Sequence, residues 1–174
     1  RILEITGKKN IKEVWPDFEL YIHGGVSFTP YKAQFEKIIG EGCRYLEIYN
    51  ASEGFFAAQD RLDEEGMLLF LDHGIFYEFM PIEEYGKENP ITIGLDKVEL
   101  GKNYAIVIST NGGLWRYLVG DTVQFVTLNP FRIKVSGRLK QYINAFGEEL
   151  IADNSDKAIS ETCASFNVVI KEYT

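Results

Sequence analysis

The sequence predicts an α+β fold, and three observations carry that expectation. Short runs rich in Val, Ile, Tyr and Phe, punctuated by Gly and Asn, recur over residues 44–135, the pattern of a strand meander. Two amphipathic stretches, residues 31–39 and 153–165, read as helices. These helices flank the strand-rich part instead of alternating with its strands, which argues against a regular strand–helix array. We therefore expect a mixed sheet with a small barrel-like meander over residues 1–137, then the first pieces of a small α/β domain over 138–174.

Each element has a local reason. The first ten residues are polar and Lys-rich, and Trp15-Pro16 introduces an extended segment at 18–22 that Gly24-Gly25 breaks. Thr29-Pro30 is a helix start, an oxygen-bearing cap followed by Pro at the first helical position. Tyr31, Phe35, Ile38 and Ile39 continue it at helical spacing until Gly40 and Gly42. Residues 44–59 read as two strands meeting at Asn50-Ala51-Ser52-Glu53-Gly54. Asp72-His73-Gly74 predicts a hairpin between strands at 67–71 and 75–80. After a charged loop at 83–90, four short strands are expected at 104–108, 115–119, 122–127 and 131–135. Asp153 caps the second helix, and 166–171 reads as a strand. The chain opens on Arg1-Ile2-Leu3-Glu4-Ile5 and stops as that strand begins, so we expect an excerpt of a larger protein.

Composition narrows the function. With 174 residues, 45% of them hydrophobic, the chain can bury a sizeable core. A net charge of −8 argues against nucleic acid or an anionic membrane as partner, since both select a basic face. It leaves room for a nucleotide held by a few local cations or a metal. Cys43 and Cys163 are too few for a disulfide framework and are expected to be free thiols in a reducing, cytoplasmic setting. His23 and His73 have no second His or Cys at ligand spacing, so neither is read as a metal ligand. No Gly-x-Ser-x-Gly elbow, Gly-x-Gly-x-x-Gly turn or Walker-type lysine loop occurs.

Four constellations carry chemistry. His23-Gly24-Gly25-Val26-Ser27 ends a strand in paired glycines, which let a flat ring or phosphate approach the backbone. Tyr49-Asn50-Ala51-Ser52-Glu53-Gly54 gathers an aromatic ring, a hydroxyl and a carboxylate in one turn. In Gly113-Leu114-Trp115-Arg116-Tyr117-Leu118-Val119-Gly120-Asp121, an Asp follows a Gly at a strand end and can accept both ribose hydroxyls. The stretch from Gly137 to Leu150 sets Arg138 and Lys140 beside an apolar, Gly-punctuated segment at the expected domain junction. Read singly, the first is better taken as a bare structural turn, and the second can equally be a tight β-turn with a solvated Glu.

In this order the four stretches resemble the nucleotide motifs of the adenylate-forming superfamily of acyl-CoA synthetases, firefly luciferase and peptide-synthetase adenylation domains. The third looks like that superfamily's Tyr-Arg-x-Gly-Asp motif. The fourth is similar to its Gly-Arg-x-Lys-x-x-Ile-x-x-x-Gly hinge, with Gly137, Arg138, Lys140, Ile143 and Gly147 in register. The closer resemblance is to the auxin-responsive acyl-acid amido synthetases of plants and their bacterial relatives, through Glu13-Val14-Trp15-Pro16, the His-Gly-Gly segment, Tyr-x-Ala-Ser-Glu-Gly and Gly-Leu-Trp-Arg-Tyr.

That resemblance implies the β-rich second half of a large adenylate-forming domain and the start of a C-terminal one. It implies ATP and Mg²⁺, a carboxylic acid and an amino acid as substrates, and an acyl-adenylate released to the amine with loss of AMP. Tyr49 would lie against adenine, with Gly24 and Gly25 lining the same side. Ser52 would meet the α-phosphate, Glu53 would hold Mg²⁺, Asp121 would bind the ribose and Arg138 would reach ribose or phosphate. Glu53 and Arg138 are the catalytic candidates. The superfamily's upstream phosphate loop has no counterpart before Tyr49, and its catalytic lysine would fall beyond Thr174; Lys157 and Lys171 are not in a matching context. The chain alone is therefore expected to be inactive, and uncovered sheet edges are expected to make it self-associate. The alternatives are a non-catalytic binding or interaction module of the same fold and an acyl-CoA ligase.

Overall fold

The computed structural model describes residues 1–25, 28, 31–139, 143–145, 148–150, 152–166 and 168. Two short helices open the chain, α1 (Ile2–Thr6) and α2 (Ile11–Val14). Gly7 closes the first in the left-handed region at φ 66, and the Asn10 side chain caps the second by accepting from the Glu13 N–H.

Strand β1 (Leu20–Gly24) pairs in parallel with β2 (Arg44–Ala51). Parallel neighbours need a crossover, and helix α3 (Lys32–Ile39) is that connection. It docks through Phe35, whose ring lies 5.1 Å from that of Tyr21 on β1. The expected cap at Thr29-Pro30 lies outside the described residues, as do Val26 and Ser27.

The remaining strands are antiparallel: β3 (Gly54–Ala58), β4 (Met67–Leu69), β5 (Ile75–Pro81), β6 (Asn103–Thr110), β7 (Tyr117–Leu128) and β8 (Phe131–Arg138). Their order, β1-β2-β3-β4-β8-β7-β6-β5, makes one mixed eight-stranded sheet. Strands from its two ends meet in one core. Tyr49 and Phe56 of β2 and β3 share a cluster with Tyr77 and Phe79 of β5, and the Phe56 and Tyr77 rings lie 6.4 Å apart. The sheet thus curls on itself, as the expected barrel-like meander requires.

Three expectations are corrected. The hairpin across Asp72-His73-Gly74 does not form, because β4 pairs with β3 and β8 whereas β5 pairs along its whole length with β6. Met67, Leu69, Tyr77 and Phe79 all enter the same core, and burying them through long-range partners outweighs a local turn signal. The two strands expected at 115–119 and 122–127 are one strand, β7, which continues through Gly120 at φ 92. That glycine accommodates a local kink in a continuing strand, a common role for strand glycines. Finally, Phe166, expected to open a strand, is the last residue of helix α4 (Ala152–Phe166); most of the strand expected at 166–171 lies outside the described residues. Between β8 and α4 a small antiparallel pair forms from β9 (Ile143–Ala145) and β10 (Glu148–Leu150).

An ion-pair cluster fixes the β3–β4 connection. Arg132 on β8 donates to both oxygens of Asp60, at 2.9 and 2.8 Å, and reaches Glu64 at 3.4 Å. Its side chain is 6% exposed. Lys134, two residues along the strand, meets Glu65 at 3.2 Å.

Candidate functional site

The site lies where β2 turns into β3. A register shift between Tyr49 and Asn50 interrupts the pairing, which resumes at Asn50 with Phe55 and Ala51 with Gly54. Tyr49 is 3% exposed, with its ring 4.9 Å from that of Phe56 and its hydroxyl donating to Asp121 Oδ2 at 3.0 Å. Burial, reinforced by the Asp121 carboxylate, holds this phenol protonated well above its ordinary range.

Asp121 stands on β7 directly across from Arg138 on β8. Arg138 Nε approaches Asp121 Oδ1 at 3.2 Å; the carboxylate side chain is 16% exposed and the arginine 67%. One Asp121 oxygen therefore faces a buried donor and the other a solvated, movable cation. In the adjoining turn, Glu53 accepts from Ser52 Oγ and from the Tyr117 hydroxyl, each at 3.2 Å. The hydrogen bond to Glu53 raises the Tyr117 phenol. Tyr49, Ser52, Glu53, Asp121 and Arg138 are thus drawn together from three segments. Lys140 and Gly147 of the expected hinge lie outside the described residues.

The glycine pair has a structural reason of its own. Gly24 is in register with Ile48, and a Cβ there would collide with the Ile48 carbonyl oxygen. Gly25 follows at φ 89, in the left-handed region that glycine favours. Gly24→Ala is accordingly expected to destabilise the chain by about 1–3 kcal/mol, the usual range for overpacking. Urea unfolding would measure it, and an unchanged midpoint would mean that β1 and β2 separate without cost.

Beside these glycines is a cavity of about 520 Å³, bounded by His23, Gly25, Phe28, Tyr45, Glu47, Tyr49, Lys134 and Val135 among others. The His23 ring stacks on Phe28 at 4.2 Å. Among the described residues, its Nδ1 and the Tyr45 hydroxyl are buried without a hydrogen-bond partner. Burial lowers the His23 pKa and so favours neutral imidazole. Burial, and secondarily the Glu65 carboxylate, raises that of Glu47. Sequence reasoning passed over Tyr45 and Glu47. Their alternation with Leu46 and Ile48 toward Tyr49 places all three on one strand face, and that was the available signal.

Residues 68–138 match the central domain of the GH3 family. The chain is 31% identical over 120 residues to the jasmonoyl–L-amino acid synthetase JAR4 of Nicotiana attenuata, covering 66% of this chain and 21% of that protein. It is 27% identical over 135 residues to the indole-3-acetic acid-amido synthetase GH3.3 of Arabidopsis thaliana, covering 71% and 22%. Its fold superposes on the GH3 protein AtGH3.15, an acyl acid amido synthetase solved with 2,4-DB, with a TM-score of 0.70 at 19% identity, over 95% of this chain and 30% of that one. The chain spans about a fifth of the length of these curated relatives. None of its described helices is long and apolar enough to cross a membrane.

Proposed function

We propose that this chain supplies the nucleotide-binding part of an ATP-dependent acyl-acid amido synthetase, which adenylates a carboxylic acid and passes the acyl group to an amine, in particular an amino acid. One observation carries the reading: Asp121 holds a mostly buried carboxylate between Tyr49 and Arg138, while Tyr117 of the same strand donates to Glu53 in the β2–β3 turn. The GH3 match and the names of the relatives support the class of reaction.

In this reading the ribose hydroxyls donate to Asp121, and the base enters the cavity beside Gly25. Arg138, whose side chain is two-thirds exposed, leaves Asp121 for a ribose or phosphate oxygen. Fixing the sugar aligns the α-phosphate with the incoming carboxylate, and such displacements depend on positioning and charge neutralisation. Residues from 138 onward form the hinge and the beginning of the C-terminal domain.

Among the described residues no three His, Cys, Asp or Glu side chains are grouped to hold a metal. That fits Mg²⁺, which commonly takes one or two carboxylates and completes its shell with phosphate oxygens and water. Glu53 would be the carboxylate, and the ion would offset charge on the phosphates.

Calorimetric titration of ATP into the chain tests the proposal. Mg²⁺ should tighten ATP binding, and Glu53→Gln should remove that enhancement while leaving Mg²⁺-free binding intact. Absence of ATP binding would defeat the nucleotide reading; an enhancement surviving in Glu53→Gln would remove only the metal role.

A further inference from the structure

We propose that Arg116 is a positioning residue: held in a strained backbone conformation by Ser109, Glu78 and Thr92, it sets the place of Tyr117 and, through it, of Glu53. The inference rests on the nucleotide reading above and deepens its metal arm. Among the described residues, Arg116 is the one non-glycine residue with a positive φ, at 45. A residue persists in that region only where its surroundings over-determine it, and such outliers gather at functional sites.

The surroundings do so here. The Arg116 N–H donates to Ser109 Oγ on β6 at 3.0 Å. Its guanidinium reaches past β6 to β5, donating from Nε to Glu78 Oε2 and from Nη2 to Thr92 Oγ1, each at 3.0 Å. Thr92 donates to Glu78 Oε1 at 2.6 Å, which closes a triangle. The Arg116 side chain is 54% exposed, and exposed pairs contribute little to global stability. The place of the cluster in the chain gives it another purpose. Arg116 is the last residue before β7, and the next, Tyr117, pairs with Ile108 and donates to Glu53 Oε1 at 3.2 Å. Relaxing the backbone at Arg116 would carry Tyr117 away from the β2–β3 turn. The donor left to Glu53 is then Ser52, a neighbour that moves with it.

Calorimetry of ATP with and without Mg²⁺ tests this on the 174-residue chain, Arg116→Gly, Tyr117→Phe and the double variant, with amide NMR spectra reporting the fold. Glycine accepts a φ of 45 without strain, so Arg116→Gly removes the guanidinium without opposing the turn. Each single variant should reduce the Mg²⁺ enhancement of ATP binding about tenfold, in line with one hydrogen bond to a charged group, and leave Mg²⁺-free affinity within about twofold. The double variant should lose no more than either single one, because both changes break one path. Losses that multiply in the double variant overturn the path through Tyr117, as does a full enhancement in Arg116→Gly. An equal weakening with and without Mg²⁺ marks a merely structural residue and overturns it too. If Arg116→Gly does not fold, Glu78→Gln, which leaves residue 116 unaltered, carries the same expectation and the same refutation. If the unmodified chain binds no ATP, the nucleotide reading falls; if it binds ATP without Mg²⁺ enhancement, the metal role of Glu53 falls. Either result takes this inference with it.

Discussion

Replacing Asp121 by Ala is expected to weaken ATP binding at least about 100-fold, the loss corresponding to two hydrogen bonds to a charged group at roughly 1.5–3 kcal/mol each. In an enzyme built on this chain, ATP–pyrophosphate exchange should fall to background. Truncation also deprives the Tyr49 hydroxyl and Arg138 of their shared acceptor, so the alanine effect combines lost ligand contacts with disturbance of the site. Asp121→Asn separates the two. It preserves size and an acceptor oxygen but not the charge, and it should lose most of the binding with little change in unfolding midpoint. Nucleotide affinity within about threefold of the unmodified chain in both variants would sink the ribose assignment, since a single hydrogen bond to a charged group is worth more than that.

The second large effect is on stability. Arg132→Met should cost about 3 kcal/mol, the low end of what removing one partner from a buried pair costs. The low end applies because Arg132 is 6% exposed but Asp60 is 33% exposed and keeps part of its hydration. For a chain of this size that is a fall of about 6–12 °C in unfolding temperature. The pair also has a pH signature. The hydrogen bonds from Arg132 hold the Asp60 carboxyl below its ordinary value of 3.8. Its contribution is therefore complete above that value and is lost as pH falls through the lower, folded-state pKa. Arg132→Met should remove this acid-dependent component, so the stability difference between the two proteins should narrow below about pH 3.8. A difference that stays constant down to pH 2 would show that packing by the arginine stem, not the ion pair, stabilises the β3–β4 connection.

Much of the molecule is legible in its residues. Apolar spacing at Phe35, Ile38 and Ile39 marks α3, and the turn chemistry from Asn50 to Gly54 separates β2 from β3. Both signals reside within a few residues and act through local backbone preferences. The same locality explains the errors. Asp72-His73-Gly74 is sound turn chemistry, but a turn does not choose strand partners, and β4 and β5 found theirs in β8 and β6. Gly120 looks like a break because glycine often is one; only pairing of both flanks with β6 shows that the strand runs on.

The candidate site divides in the same way. Its residue types could be listed from the sequence, because a hydroxyl beside a carboxylate in a turn and an Asp after Gly are recognisable where they stand. The partner of the Tyr49 hydroxyl could not be listed. Asp121 is 72 residues away, and whether the ring faces a ligand or the core depends on how far the sheet curls. Arg132 and Asp60 are separated by the same interval and gave no local sign of each other. The sequence by itself determined where α3 and most of the strands form and which chemical groups are available. The tertiary structure decided which strands pair, that the phenol of Tyr49 turns inward to Asp121, and that Arg132 is buried, because each depends on shared burial between residues far apart in the chain.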